Sequence, residues 1–141
     1  MKKIILLSLL PLTAMAAPSL KGFEKTYQDW DLICDNTGTC NMAGYPEGDG
    51  SEHPVSILFT RSAGEQSPVS AQLALLPEDV GNKTAEIILN GQSLGTVPNI
   101  SEDGNAKLSE KQTTELLTAL KGNASIEVVF GEFKEKVSDK G

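Results

Sequence analysis

The side chains with the widest chemical range in this sequence are two cysteines, Cys34 and Cys40, and a single histidine, His53. His53 is the one base whose unperturbed pKa lies near neutrality. Serines and acids are plentiful enough for a Ser-His-Asp arrangement, but no G-x-S-x-G element singles out a nucleophile. A hydrolase centred on His53 is therefore the weakest functional reading, and the residue reads as an exposed loop histidine between Glu52 and Pro54. Paired carboxylates of the glycosidase type need two acids positioned in a cleft, whereas the acids here fall mostly in loops and on one helix. The stretches Gly48–Glu52 and Glu102–Asn105 carry clustered oxygens without the regular spacing of a calcium loop. Zinc would need two ligands beyond the cysteines, and His53 is the only other good one. No metal and no cofactor is expected. The cysteines are separated by turn-forming residues, Asp35-Asn36-Thr37-Gly38-Thr39, rather than by the two-residue gap of a redox pair. They read as a structural disulfide closing a β-hairpin, which contributes about 2 kcal/mol through loop entropy. The sole tryptophan, Trp30, leads into this hairpin and is expected to be a buried core anchor beside it.

The compartment follows from the first residues. Lys2 and Lys3 precede the apolar run Ile4–Leu12, and Thr13-Ala14-Met15-Ala16 supplies small residues of the A-x-A kind. This pattern is a secretory signal peptide, residues 1–16, leaving 17–141 as one periplasmic domain of a bacterium. The apolar run is about half of what a bilayer crossing needs, so no membrane span is expected after the signal is removed. Export makes a disulfide chemically reasonable. The whole chain has 12 basic and 19 acidic residues, and without Lys2 and Lys3 the net charge falls from −7 to −9. That balance argues against nucleic acid as a ligand and against anionic lipid surfaces. It favours a basic protein partner.

The segment Trp30-Asp31-Leu32-Ile33-Cys34-Asp35-Asn36-Thr37-Gly38-Thr39-Cys40-Asn41-Met42-Ala43-Gly44-Tyr45 resembles the opening motif of the exported bacterial family called domain of unknown function 1176. Val55–Thr60 with Arg61 and Gly64 is similar to that family's second strand and Arg-containing turn. The segment Leu108-Ser109 with Gln112, Leu116, Leu117 and Leu120 fits it less specifically. The position held here by Gly38 is commonly basic in the family. The resemblance implies an exported envelope protein corresponding to the first part of a longer architecture, and it implies no activity. A looser likeness, a Trp followed by a spaced cysteine pair, links the chain to the invasion-associated locus B proteins.

The elements that must position these residues are short. Ala17–Lys25 reads as a lead-in, Tyr27–Ile33 as a first strand and Cys40–Tyr45 as its hairpin partner. Pro46–Pro54 is a loop, and Val55–Thr60 and Val69–Leu76 alternate as strands. Asn90-Gly91 between Ala85–Leu89 and Gln92–Val97 is the preferred two-residue hairpin turn. Pro98–Lys107 reads as a loop. Ser109 with Gln112 forms a capping box for a helix of about three turns, with Gly122 placed to end it. Ile126–Phe130 and Phe133–Val137 form a last hairpin across Gly131-Glu132. Trp30, Phe59, Phe130 and Phe133 are the expected core aromatics. About eight strands and one amphipathic helix covering a sheet predict an α+β class of antiparallel hairpins, with a β-sandwich as the alternative.

The function class this supports is a non-enzymatic periplasmic binding or interaction protein. In one version it is an inhibitor or immunity-type protein against a basic envelope hydrolase, with Asp35, Asn36, Asp49 and Glu52 as contact candidates. A structural or assembly component of the envelope is the alternative. Expressed in bacteria, the protein is expected in the periplasmic fraction with Ala17 as its first residue. N-terminal sequencing that finds Met1 on cytosolic material would refute the export reading.

Overall fold

The computed structural model describes residues 21–48, 54–76 and 84–141. The signal segment 1–16 and the loop residues Asp49, Glu52 and His53 lie outside the described residues. The elements run β1 (Phe23–Tyr27), β2 (Trp30–Cys34), β3 (Cys40–Gly44), β4 (Ser56–Arg61), β5 (Val69–Ala74), β6 (Thr84–Leu89), β7 (Gln92–Pro98), β8 (Asn105–Lys107), α1 (Glu110–Ala119), β9 (Ile126–Phe130) and β10 (Phe133–Val137). Two antiparallel sheets result, one ordered β1-β2-β3-β4-β5-β8 and the other β10-β9-β6-β7.

This overturns the α+β expectation. The described chain is mostly antiparallel β in two sheets, and the single helix is ten residues long. A single helix is too narrow to form a layer over a sheet of six or of four strands. Buried side chains from both sheets, among them Trp30, Ile57, Leu73, Ile87, Val97, Ile126, Val128 and Val137, join one core cluster. Of the expected core aromatics, Trp30, Phe59 and Phe130 are buried, while Phe133 is half-buried and packs on the cluster from its edge.

Local chemistry explains most of the elements. Asn90 and Gly91 take φ of 51° and 80°, the pair of positive values that joins β6 to β7 with the twist of the strands. Ser109 caps α1, accepting from the Gln112 backbone N–H while the Gln112 side chain accepts from the Ser109 N–H, which closes the capping box. Several boundaries depart from the sequence pattern. The expected first strand is in fact a hairpin, β1 and β2 joined through Gln28 at φ 51° and Asp29. The supposed loop before the helix contains β8, three residues that pair with Gln72–Ala74 of β5. Leu120, not Gly122, is the C-cap of α1.

Antiparallel register aligns the inner face of the larger sheet in cross-strand rows. Tyr27, Trp30, Gly44, Ile57, Leu73 and Ala106 form the first row. Lys25, Leu32, Met42, Phe59 and Ala71 form the second, and Phe23, Cys34, Cys40, Arg61 and Val69 the third. The first row is buried from Trp30 onward, whereas Arg61 in the third is exposed. Leu117 of α1 faces the second and third rows, and the C-cap Leu120 faces the first and second, leaving cavities of about 150 and 110 Å³.

Trp30 holds this arrangement. Its ring packs against Phe59 with centroids 6.1 Å apart, and its Nε1–H donates to the Ser138 carbonyl at 3.0 Å. The indole lies over Gly44, directly opposite in register, where a Cβ would come within 2.3 Å of the ring. Gly44→Ala is therefore expected to destabilise the protein by about 1–3 kcal/mol through overpacking. Urea unfolding followed by tryptophan fluorescence measures this. A mutant with an unchanged midpoint would show that the indole does not rest on Gly44.

Candidate functional site

Two surface features bring chemically distinctive residues together. The first is the turn between β2 and β3. Cys34 and Cys40 are opposite in register and disulfide-bonded, as the spacing predicted. Within the bridge, Asp35 Oδ1 accepts from the Thr37 N–H at 2.8 Å, the Thr37 hydroxyl at 2.7 Å and the Thr39 N–H at 3.0 Å. The Asp35 N–H in turn donates to the Thr39 carbonyl at 2.9 Å. Gly38 takes φ of 90°, a conformation that side chains other than glycine's rarely adopt. The basic residue common at this position in the resembling family would be strained in this backbone. These bonds hold the Asp35 carboxyl below its ordinary pKa, the Thr37 hydroxyl contributing most and the Thr39 and Thr37 N–H groups next. The result is a held turn with a carboxylate, in which Asp35, Asn36 and Thr37 are exposed.

Of the contact set expected from sequence, Asp35 and Asn36 are described, whereas Asp49 and Glu52 lie outside the described residues. Asp35 and Asn36 sit at the Cys40 end of β3, whereas Pro46–Gly48 leave from its Gly44 end. A five-residue strand spans roughly 16 Å. The described start of the second loop is engaged elsewhere. Glu47 pairs with Lys140 and lies 3.8 Å from Lys136, and its carboxyl is held below its ordinary pKa chiefly by the Lys140 hydrogen bond. Among the described residues, no helix is long and apolar enough to cross a membrane, and no group of His, Cys, Asp and Glu is arranged to hold a metal ion.

The second feature was not anticipated. A cleft of about 600 Å³ opens between the start of β5 and α1. Val69, Leu108 and Leu117 give it an apolar floor, hydroxyls of Ser70, Thr114 and Thr118 line its walls, and Lys107 and Lys121 stand at its rim. On α1, positions 110, 113, 114, 117, 118 and 121 share one face by helical spacing. The recurrence of threonine and leucine there was visible in sequence, but it reads equally as a core-facing stripe.

The family described as "Protein of unknown function (DUF1176)" matches residues 24–141, a span that includes the stapled turn, α1 and the cleft. No curated protein and no solved structure matches the chain.

Asp35 gives this site a pH signature. Its folded pKa lies below the unfolded one, so its contribution to stability is complete above the ordinary aspartate range and is lost as pH falls through the folded value. Asp35→Asn mimics the protonated carboxyl. The mutant is expected to be less stable than the parent at neutral pH, with the gap closing in acid. Urea midpoints measured at both pH values test this, and a gap independent of pH would show that the carboxylate charge plays no part in the turn.

Proposed function

We propose that this chain, which belongs to the DUF1176 family, is an exported, non-enzymatic binding protein of the bacterial envelope whose partner is a basic protein. The observation that supports this reading is the preorganised turn. Its backbone is fixed by the disulfide and by three hydrogen bonds to a single carboxylate oxygen. A surface already held in one conformation loses little entropy on binding. Asp35 Oδ2 accepts no hydrogen bond from the described residues, so it is available to a cationic group of the partner. Asn36, also exposed, offers an amide beside it.

The long-range field adds to this local geometry. The net charge of −9 after signal removal draws a basic surface toward the protein, which raises the association rate more than the final affinity. An inhibitor or immunity-type protein that caps a basic envelope hydrolase is the specific form of this proposal.

Asn36→Lys tests the turn without touching the bonds that hold it. Immobilised parent protein is expected to capture a basic envelope protein at low salt, with association slowing as salt rises. The lysine variant is expected to associate several-fold more slowly while keeping the parent's urea midpoint. An acidic captured partner, binding indifferent to salt, or equal rates for parent and variant would overturn the assignment of the turn.

A further inference from the structure

Strand β5 is only partly covered at its β8 edge. β8 pairs with Gln72–Ala74, after which the Leu108 N–H donates to the Ala71 carbonyl and the chain leaves the sheet through Ser109 into α1. The Ala71 carbonyl and the Leu75 N–H both bond on the β8 side. Backbone groups alternate sides along a strand, so Val69 shares that direction and points away from β4. The Val69 N–H and C=O and the Ala71 N–H therefore line an open edge, and no described residue bonds to them.

This edge forms one wall of the cleft of about 600 Å³, and α1 forms the other. The size lies within the range of roughly 300–1,000 Å³ typical of binding pockets. Its location is where β8 would have continued had the chain not turned into the helix. We infer that the cleft binds an extended peptide segment of another protein as an added strand on β5, and that this segment carries an apolar residue flanked by side-chain carboxylates.

Three features select that ligand. Unpaired strand-edge groups are satisfied by a peptide backbone, which supplies affinity without regard to sequence. Side chains of an added strand alternate, so one of them meets the half-buried Val69 and Leu117 while its neighbours point outward. The charge at the rim is positive in an otherwise acidic protein. Lys111, Lys134, Lys136 and Lys140 pair with carboxylates, whereas Lys107 and Lys121 make no ion pair among the described residues. The Glu110 carboxylate, at the Lys107 end of the cleft, lies in the first turn of α1, where the helix dipole accommodates it. This site is distinct from the stapled turn: Val69 and Cys40 are two strands apart, about 10 Å, and the preferred charge of the ligand is opposite.

The test uses an isotopically labelled sample of the protein titrated with a short peptide of alternating valine and threonine, flanked by aspartates and blocked at both termini. A twin flanked by lysines serves as comparison. On binding, the Val69 and Ala71 amides are expected to shift and to exchange with solvent more slowly, together with shifts around Leu117. The aspartate peptide should bind roughly threefold to tenfold more tightly than its twin, the size expected of two exposed ion pairs. Lys121→Glu should narrow that preference. Val69→Pro removes both an N–H that faces the cleft and the valine side chain in it, and should abolish binding while β4 and β5 remain paired. If that variant fails to fold, the exchange measurement on the parent still decides. Unshifted Val69 and Ala71 amides, shifts confined to another strand edge such as β1, or equal affinity for the two peptides would overturn the inference.

Discussion

The structure depends on one packing constraint: a bulky indole must find room and a hydrogen-bond acceptor where the end of the larger sheet meets the last strand of the smaller one. Gly44 supplies the room, because the residue opposite Trp30 has no side chain. Ser138 supplies the acceptor through its carbonyl. The segment that carries Ser138 is then tied down on both sides. Its N–H donates to the Tyr45 carbonyl at 2.9 Å, its hydroxyl donates to Asp29 Oδ2 at 2.6 Å, and the Asp29 N–H donates to the Lys140 carbonyl at 3.2 Å. Pro46 bridges to Val137, and the Ala124 N–H donates to Asp139 Oδ2. One buried ring thus joins the β1–β2 turn, the end of β3 and the residues after β10. A buried indole N–H without a partner would carry a desolvation penalty of about 1–3 kcal/mol, which makes the path of residues 138–140 a requirement of the core.

The mismatch between six strands and four shapes both surface features. Where the smaller sheet covers its partner, the inner face is closed, as the fully buried Ile57 and Leu73 record. Beyond that cover, the third cross-strand row is finished by a disulfide, by Arg61 and by α1. The bridge adds a covalent link between β2 and β3 there, with Cys34 buried. The helix fills the remaining space incompletely, because the Gln112 side chain anchors it to the other sheet. Gln112 Nε2 donates to the carbonyls of Leu94, Gly95 and Thr96 of β7, at 3.3–3.4 Å. Held toward β7, α1 stands off from the start of β5, and the cleft is the space between them.

Much of the local architecture was legible because it is encoded by neighbours in the chain. Asn90-Gly91 requires positive φ at both positions, so the β6–β7 hairpin follows from two residues. Ser109 and Gln112 satisfy each other's backbone groups within one turn, and Cys34 and Cys40 flank a short run of turn formers. The misses share a physical cause. Gln28-Asp29 is not a preferred turn pair, and it turns because Asp29 is bonded to Tyr45 and Lys140, far along the chain. β8 is a strand only because β5 offers it an edge. The expectation of a helical layer over a sheet failed because apolar alternation shows that each strand has a buried face but not which element that face meets.

The sequence alone determined the β2–β3, β6–β7 and β9–β10 hairpins, the capped helix, the cysteine pairing and the acidic charge, since each rests on interactions between residues a few positions apart or on composition. Only the tertiary structure decided that the strands divide into sheets of six and four, that Trp30 rests on Gly44 and bonds to Ser138, and that Asp35 and Pro46–Gly48 lie at opposite ends of β3. It alone decided that Gln112, already used as a cap, also reaches β7 and so holds α1 away from the β5 edge. A side chain's local bonds are written in its neighbours. Its second partner depends on which distant backbone the packed core brings within about 3 Å, and no local pattern carries that distance.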